Sequence, residues 1–180
     1  MEYNKRIATA GDYFRYYFAS AYSVFSLATS NRKKLPHDFI ERIMLAVTEV
    51  NGCKVCSQAH AKMALESGMT EEEINALLSN DKEKVPEYQS IGIMFATHYA
   101  DSDGRPDEEA VERLKEKYGR KLSKSIIATC RMIMIGNVLG IAIDTFKQGS
   151  RVRELTIFIG SILLLPLYLV TVIAGILFNH

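Results

Sequence analysis

The sequence predicts an all-α protein, with one helical domain over residues 1–150 and an apolar C-terminal helix over residues 155–178. Two observations lead to this prediction. Apolar side chains recur at helical spacing along most of the chain, and the alternation typical of β-strands is nearly absent. Turn residues also separate these apolar stretches at short intervals, which is typical of successive helices packed in one domain.

The first half of the chain contains clear helix boundaries. Residues 12–28 are rich in aromatic side chains, which we interpret as core or oligomer packing rather than a partner-binding face. Pro36 fits the first turn of the next helix. This helix ends at Asn51-Gly52, because glycine favours the left-handed backbone conformation that stops a helix. A further helix is predicted from about Cys53 to Ser67.

The second half continues in the same way. Gly68 is a C-cap candidate, and Thr70 with Glu73 forms a capping-box pattern that opens the next helix. After a charged loop, a helix is predicted to run to about Ala100. A polar turn then leads into an amphipathic helix through Tyr118 and a longer apolar helix.

The composition excludes several classes of function. The chain has 22 Lys and Arg residues and 21 Asp and Glu residues, a balance that gives no reason to expect a nucleic-acid partner. Neither a GxxxxGK[ST] loop nor a GxGxxG loop is present, so no nucleotide site is indicated and we expect no cofactor. Three cysteines and an N-terminus unlike a signal peptide favour a reducing compartment.

The C-terminal segment changes the class of protein. Residues 155–178 carry no charge over 24 positions, and a membrane-spanning helix needs about 20 apolar residues. Basic residues precede the segment at Lys147, Arg151 and Arg153, so the positive-inside rule places the domain in the cytoplasm. We therefore expect a membrane-anchored protein. The alternative is a helix buried inside an oligomer.

Residues 53–60, CKVCSQAH, place two cysteines and a histidine on one predicted helix face. Cys53, Cys56 and His60 have the spacing i, i+3 and i+7. Cys56 and His60 stand one turn apart, so the imidazole can accept the thiol proton. Cys53 lies at the start of the helix, where free backbone N–H groups stabilise a thiolate, the reactive form of cysteine.

A carboxylate is needed to orient or balance the histidine, and two candidates precede the motif. Glu49 lies four residues before Cys53 and would stack on it in a continuous helix, but Asn51-Gly52 argues against that continuity. Glu41 lies two turns further back and reaches the site only if the two helices pack together. The residues alone leave both candidates open.

The stretch ERIMLAVTEVNGCKVCSQAHAKMALESGMTEEEI resembles the signature of the alkyl hydroperoxidase D-like (carboxymuconolactone decarboxylase) superfamily. This signature is a glutamate, eleven intervening residues, CxxC, three residues and a histidine. Four residues fall on it without a gap: Glu41, Cys53, Cys56 and His60. The resemblance extends with decreasing strength over about residues 35–148 and does not include the apolar C-terminal segment.

The resemblance implies an all-α fold, a homo-oligomer and thiol-based peroxide or disulfide chemistry. It gives four residues a role each: Cys56 is the attacking thiol, Cys53 the resolving thiol, His60 the base and Glu41 the relay carboxylate. Val55 stands where some members carry a second histidine, so any role of that imidazole is missing here. Branches that decarboxylate a lactone lack the thiol pair, so its presence argues against that activity.

Blander interpretations compete with this one. A CxxC motif with a histidine also suits zinc, but a structural zinc needs four ligands and the chain offers no second spaced pair, so we expect no metal. The wider signature argues against chance placement in a helix. Cys130 stands among apolar residues and is expected to be a buried, inert thiol. His98, beside Tyr99, is expected to be a satisfied core or interface histidine.

Two functions are compatible with the sequence. The first is a membrane-anchored thiol peroxidase or disulfide reductase that acts on a hydroperoxide and is reduced by an external dithiol. The second is a non-enzymatic, membrane-tethered redox sensor or oligomeric scaffold in which the disulfide changes a partner surface. Turnover separates them, because a sensor is oxidised once per stimulus.

Overall fold

The computed structural model describes residues 9–28, 35–79, 81 and 84–147, together with residues 159, 160, 163, 166 and 170. Over these residues every regular element is an α-helix, which confirms the predicted all-α fold. The helices are α1 Ala10–Ala28, α2 His37–Asn51, α3 Lys54–Glu66, α4 Glu71–Leu78, α5 Glu87–Asp101 and α6 Glu108–Lys147.

Helix α2 lies at the centre of the core and contacts α3, α4, α5 and α6. Its side chains Phe39, Ile43 and Val47 repeat every four residues and are almost fully buried. Burial of each such side chain stabilises the fold by about 1.5–3 kcal/mol. The helix ends at Gly52, whose φ of 67° is left-handed and whose N–H donates to the carbonyl of Thr48. The predicted helix break is confirmed.

Helix α3 begins directly after this break, with Cys53 as its N-cap rather than its first helical residue. The C-cap is Ser67, one residue before the predicted Gly68, which follows with a positive φ. Helix α4 opens with the predicted capping box. The Thr70 hydroxyl accepts the N–H of Glu73, and the Glu73 carboxylate accepts the N–H of Thr70.

Helix α6 consists of two legs, because Gly119 interrupts it with φ 70° and ψ 166°. The legs correspond to the predicted amphipathic and apolar helices. The stretch Glu108–Thr145 is the one helix within the described ranges that is long and apolar enough to cross a membrane. However, 67% of the 18-residue apolar stretch in this helix is buried inside the protein, and α6 packs against α1, α2, α3 and α5. It is therefore part of the core.

The aromatic helix α1 has two different faces. Its buried aromatic side chains are Tyr13, Tyr16 and Tyr17, in agreement with the expected core packing. Its exposed ones are Phe14, Phe18 and Tyr22. The helix therefore contributes one aromatic face to the core and leaves the other uncovered in the single chain.

The predicted C-terminal helix, residues 155–178, lies almost wholly outside the described residues. The positions described within it are helical, and the side chains of Ile159, Leu163 and Val170 are exposed. The domain boundary near residue 150 and the membrane anchor stay predictions.

Candidate active site

Cys53 and Cys56 form a disulfide at the N-terminus of α3. The two sulfurs differ in their surroundings. Cys53 is only 1% exposed, and its Sγ accepts the backbone N–H of Cys56 at 3.3 Å, whereas Cys56 is partly exposed. The helix N-terminus thus acts on the sulfur of Cys53, and Cys56 is the more exposed residue of the pair.

His60 lies one turn after Cys56 on α3 and contacts a carboxylate from α2. Its Nδ1 is 2.8 Å from Oε2 of Glu41, and the side chains of both residues are largely buried. Because an ionised carboxylate can only accept, Nδ1 carries the hydrogen of this bond and Nε2 is the free proton acceptor of a neutral ring. Glu41 therefore fixes both the orientation and the tautomer of His60.

Helix α6 lies directly behind the disulfide. A Cβ placed on Gly140 would come within 2.5 Å of Sγ of Cys56 and 2.6 Å of Sγ of Cys53. One turn earlier, the carbonyl oxygen of Gly136 lies 3.7 Å from Sγ of Cys56. The disulfide is thus packed between the start of α3 and the backbone of α6.

Buried polar contacts hold α2 against α6 close to this packing. The hydroxyl of Thr48 donates to Oδ1 of Asn137 at 3.1 Å, and both residues are almost completely buried. Nearby, Nδ2 of Asn51 lies 3.2 Å from the sulfur of Met134. Since buried polar groups are costly without partners, these contacts favour one fixed position of α2 on α6. The α2–α3 break and the disulfide are therefore held in a defined place.

Glu49, the second carboxylate considered from the sequence, lies elsewhere. It lines a cavity of about 250 Å³ between α2 and α5, together with Asp81, Thr97 and Asp101. Its Oε2 is buried with no hydrogen-bond partner among the described residues, and burial raises the pKa of this carboxyl group. Of the two candidates, the structure places Glu41 against His60.

The remaining candidates have no contact with the disulfide among the interactions described. Cys130 is fully buried, and burial raises the pKa of its thiol, in agreement with an inert cysteine. His98 is not a core histidine: its side chain is 40% exposed and its Nε2 pairs with Oδ2 of Asp107 at 2.9 Å. Within the described ranges, no group of three metal-ligating side chains is present.

Gly140 is the residue of this site that the sequence analysis missed. Two glycines one turn apart, Gly136 and Gly140, interrupt an otherwise apolar helix. Each glycine costs a helix interior about 1 kcal/mol relative to alanine, so such a residue usually has a packing or functional reason. The two glycines therefore indicated a close packing contact in the sequence, but they did not indicate which part of the fold makes that contact.

Fold and site together define an all-α protein in which a cysteine pair at a helix N-terminus lies beside a histidine–carboxylate pair. The sequence model of the carboxymuconolactone decarboxylase family matches residues 11–82, which include all four site residues. Residues 11–82 are therefore similar to that family, and the resemblance seen in the sequence is confirmed over this range. The family includes enzymes and supports a redox or peroxidase-like role in general terms. No curated protein and no solved structure matched the chain.

Proposed function

We propose that the protein is a thiol-dependent peroxidase or disulfide reductase that uses the Cys53–Cys56 pair. The observation that supports this most directly is the contact between His60 and Glu41. It fixes an oriented base on the same helix as Cys56, one turn away, and Cys56 is the more exposed cysteine of the pair.

The roles of the two cysteines follow from their exposure. Cys56 is the attacking thiol, because it is the more exposed cysteine and shares a helix face with His60. Cys53 is the resolving thiol, because it is buried and its sulfur accepts the N–H of Cys56. His60 takes the thiol proton at Nε2, and Glu41 stabilises the imidazolium that results.

The proposed cycle has three balanced steps. The Cys56 thiolate attacks an oxygen of a hydroperoxide, the O–O bond breaks, and the alcohol leaves after it takes up the relayed proton, so that Cys56 becomes a sulfenic acid. Cys53 then attacks the sulfur of Cys56, a water molecule leaves and the disulfide forms. An external dithiol finally returns two electrons and two protons by thiol–disulfide exchange and is itself oxidised to a disulfide.

The membrane and the homo-oligomer belong to the same proposal. Residues 155–178 anchor the chain in a bilayer, with the helical domain on the cytoplasmic side. The exposed apolar side chains at Ile159, Leu163 and Val170 support a contact with lipid or with another apolar surface. The exposed aromatic face of α1 is available for contact between copies of the chain.

The test is steady-state consumption of hydroperoxides by the full-length protein in detergent, with several dithiol donors. Cys56→Ser is expected to abolish turnover, and Cys130→Ala is the matched control because Cys130 lies away from the disulfide and is inert. A single oxidation per chain without turnover, for every donor, would instead identify a redox sensor or scaffold.

A further inference from the structure

The two sulfurs of the disulfide fill the space that a side chain at position 140 would need. A Cβ at this position would lie 2.5 Å and 2.6 Å from the two sulfurs, closer than non-bonded carbon and sulfur atoms approach in proteins. Gly140 is buried and lies in the helical second leg of α6. Alanine at this position would stabilise the helix by about 1 kcal/mol relative to glycine. The presence of glycine therefore needs a reason other than helix formation.

The disulfide has little freedom to move away from such a Cβ. The sulfur of Cys53 is buried and accepts the N–H of Cys56, and the sulfur of Cys56 also lies 3.7 Å from the carbonyl of Gly136. The covalent bond ties both side chains to each other, so neither can rotate alone. The backbones on the two sides belong to packed helices.

The reduced pair is freer. Once the S–S bond is broken, each thiol ends a side chain with one rotatable bond, and Cys56 is partly exposed. The two sulfurs can then rotate independently about their Cα–Cβ bonds and move away from position 140, that of Cys56 toward solvent, while the backbone of Cys53 stays at the N-cap. A methyl group at position 140 is therefore compatible with the dithiol and conflicts with the disulfide.

We propose that Gly140 is a positioning residue that sets the redox equilibrium of the Cys53–Cys56 pair, by leaving the space in which the disulfide closes against α6. The inference deepens the proposed function, on which it rests for its role in turnover. Any side chain at position 140 shifts the two-electron, two-proton exchange with an external dithiol toward the protein dithiol. It also slows the attack of Cys53 on the Cys56 sulfenic acid.

The chain offers a matched control one turn away. Among the described residues, a Cβ on Gly136 would meet only Cδ1 of Ile133, at an ordinary contact distance of 3.7 Å. Gly140→Ala and Gly136→Ala therefore make the same change of composition in the same helix, with the same gain in helix propensity. Only the first places a methyl group against the sulfurs.

The experiment is a redox titration of the full-length protein in mixtures of oxidised and reduced dithiothreitol, read as the fraction of alkylated Cys53 and Cys56. We expect Gly140→Ala to shift the equilibrium constant at least tenfold toward the dithiol, which is about 30 mV for a two-electron couple. Gly136→Ala is expected to leave the midpoint at the wild-type value. Equal midpoints for the two variants overturn the proposal.

A second measurement separates this effect from general damage to the fold. Under reducing conditions, thermal unfolding of Gly140→Ala is expected at or above the wild-type temperature, because the methyl group then meets no disulfide. In a Cys53→Ser background, where no Cys53–Cys56 disulfide forms, Gly140→Ala should likewise not lower the unfolding temperature. Destabilisation of the reduced protein overturns the proposal. The titration needs no peroxide, so a shifted midpoint without peroxide turnover would reject the peroxidase function alone.

Discussion

The carboxylate of Glu41 lies 2.8 Å from Nδ1 of His60, although the two residues belong to different helices and are separated by 19 positions. The left-handed Gly52 ends α2 and lets α3 pack back against it. The contact therefore depends on a single turn of the backbone. A helix that continued through this turn would carry Glu49 toward Cys53 instead.

Glu41→Gln is expected to move the pH profile of Cys56 alkylation upward by about one pH unit, which corresponds to about 1.4 kcal/mol. The substitution keeps the shape of the side chain and removes the charge that stabilises an imidazolium at His60. The rate of alkylation of the reduced protein, followed by mass spectrometry between pH 5 and 10, measures the shift.

Glu49→Gln is the matched control for that experiment. It removes a carboxylate from the same helix, but one that faces the cavity between α2 and α5 and not His60. Its profile is expected to coincide with the wild-type profile. A shift for Glu49→Gln with none for Glu41→Gln would reject the proposed relay.

Cys56 is expected to react with a mild alkylating agent well before Cys130 in the reduced native protein. Cys56 is partly exposed, whereas Cys130 is fully buried and burial raises the pKa of its thiol. Peptide mapping after brief treatment near neutral pH identifies the labelled residue. Comparable labelling of both thiols is expected only in denaturant, and preferential native labelling of Cys130 would contradict the assignment of the site.

The helix boundaries could be predicted because their signals are local. Gly52 stops α2, and Thr70 with Glu73 opens α4, through hydrogen bonds within a few residues of each other. The pairing of Glu41 with His60 is different, because the spacing of the residues did not exclude Glu49. Only the family signature favoured Glu41 before the structure showed how α2 and α3 pack.

Long-range packing explains what the sequence analysis missed. Gly140 contacts cysteines more than 80 positions earlier in the chain, and no local pattern connects them. His98 was expected to be a satisfied core or interface histidine; it is satisfied, but outside the core, by Asp107 directly before α6. Such contacts depend on how helices are placed, which hydrophobic spacing does not specify.

Glu49→Gln is expected to stabilise the protein at pH 7. Burial raises the pKa of this carboxyl group above its ordinary value near 4.5, so the folded state binds its proton more tightly than the unfolded state. Wild-type stability is therefore lost as the pH rises from about 4.5 through the raised pKa. Urea unfolding at pH 4 and pH 7 tests this, because the two proteins should differ only at the higher pH.

Glu73→Ala is expected to cost about 2 kcal/mol, because it removes the α4 capping bond and the hydrogen-bonded partner of the buried Arg42 guanidinium, which then keeps only the longer pair with Asp38 among the described residues. The N–H of Thr70 and the Arg42 side chain hold the pKa of Glu73 below its ordinary value near 4.5. The contribution is thus present above pH 4.5 and is lost as the pH falls through the lowered pKa.

The neighbouring Glu72→Ala serves as its control. Glu72 pairs with Lys84 where both side chains are well exposed, and such surface pairs contribute about 0–1 kcal/mol. Urea unfolding at pH 7 should therefore separate the two variants clearly. A smaller loss for Glu73→Ala than for Glu72→Ala would contradict the role of the capping box and its arginine.

Deletion of everything after Arg153 is expected to move the protein from the membrane fraction to the soluble fraction. The reason is that residues 155–178 are uncharged and long enough to span a bilayer, whereas the long apolar helix of the described domain is mostly buried in its core. Carbonate extraction of membranes followed by immunoblotting compares the two chains. Full-length protein that purifies without detergent as a single oligomer would instead show that the segment packs between subunits. Retention of the shortened chain in the membrane fraction would point to another membrane-binding surface, such as the exposed aromatic face of α1.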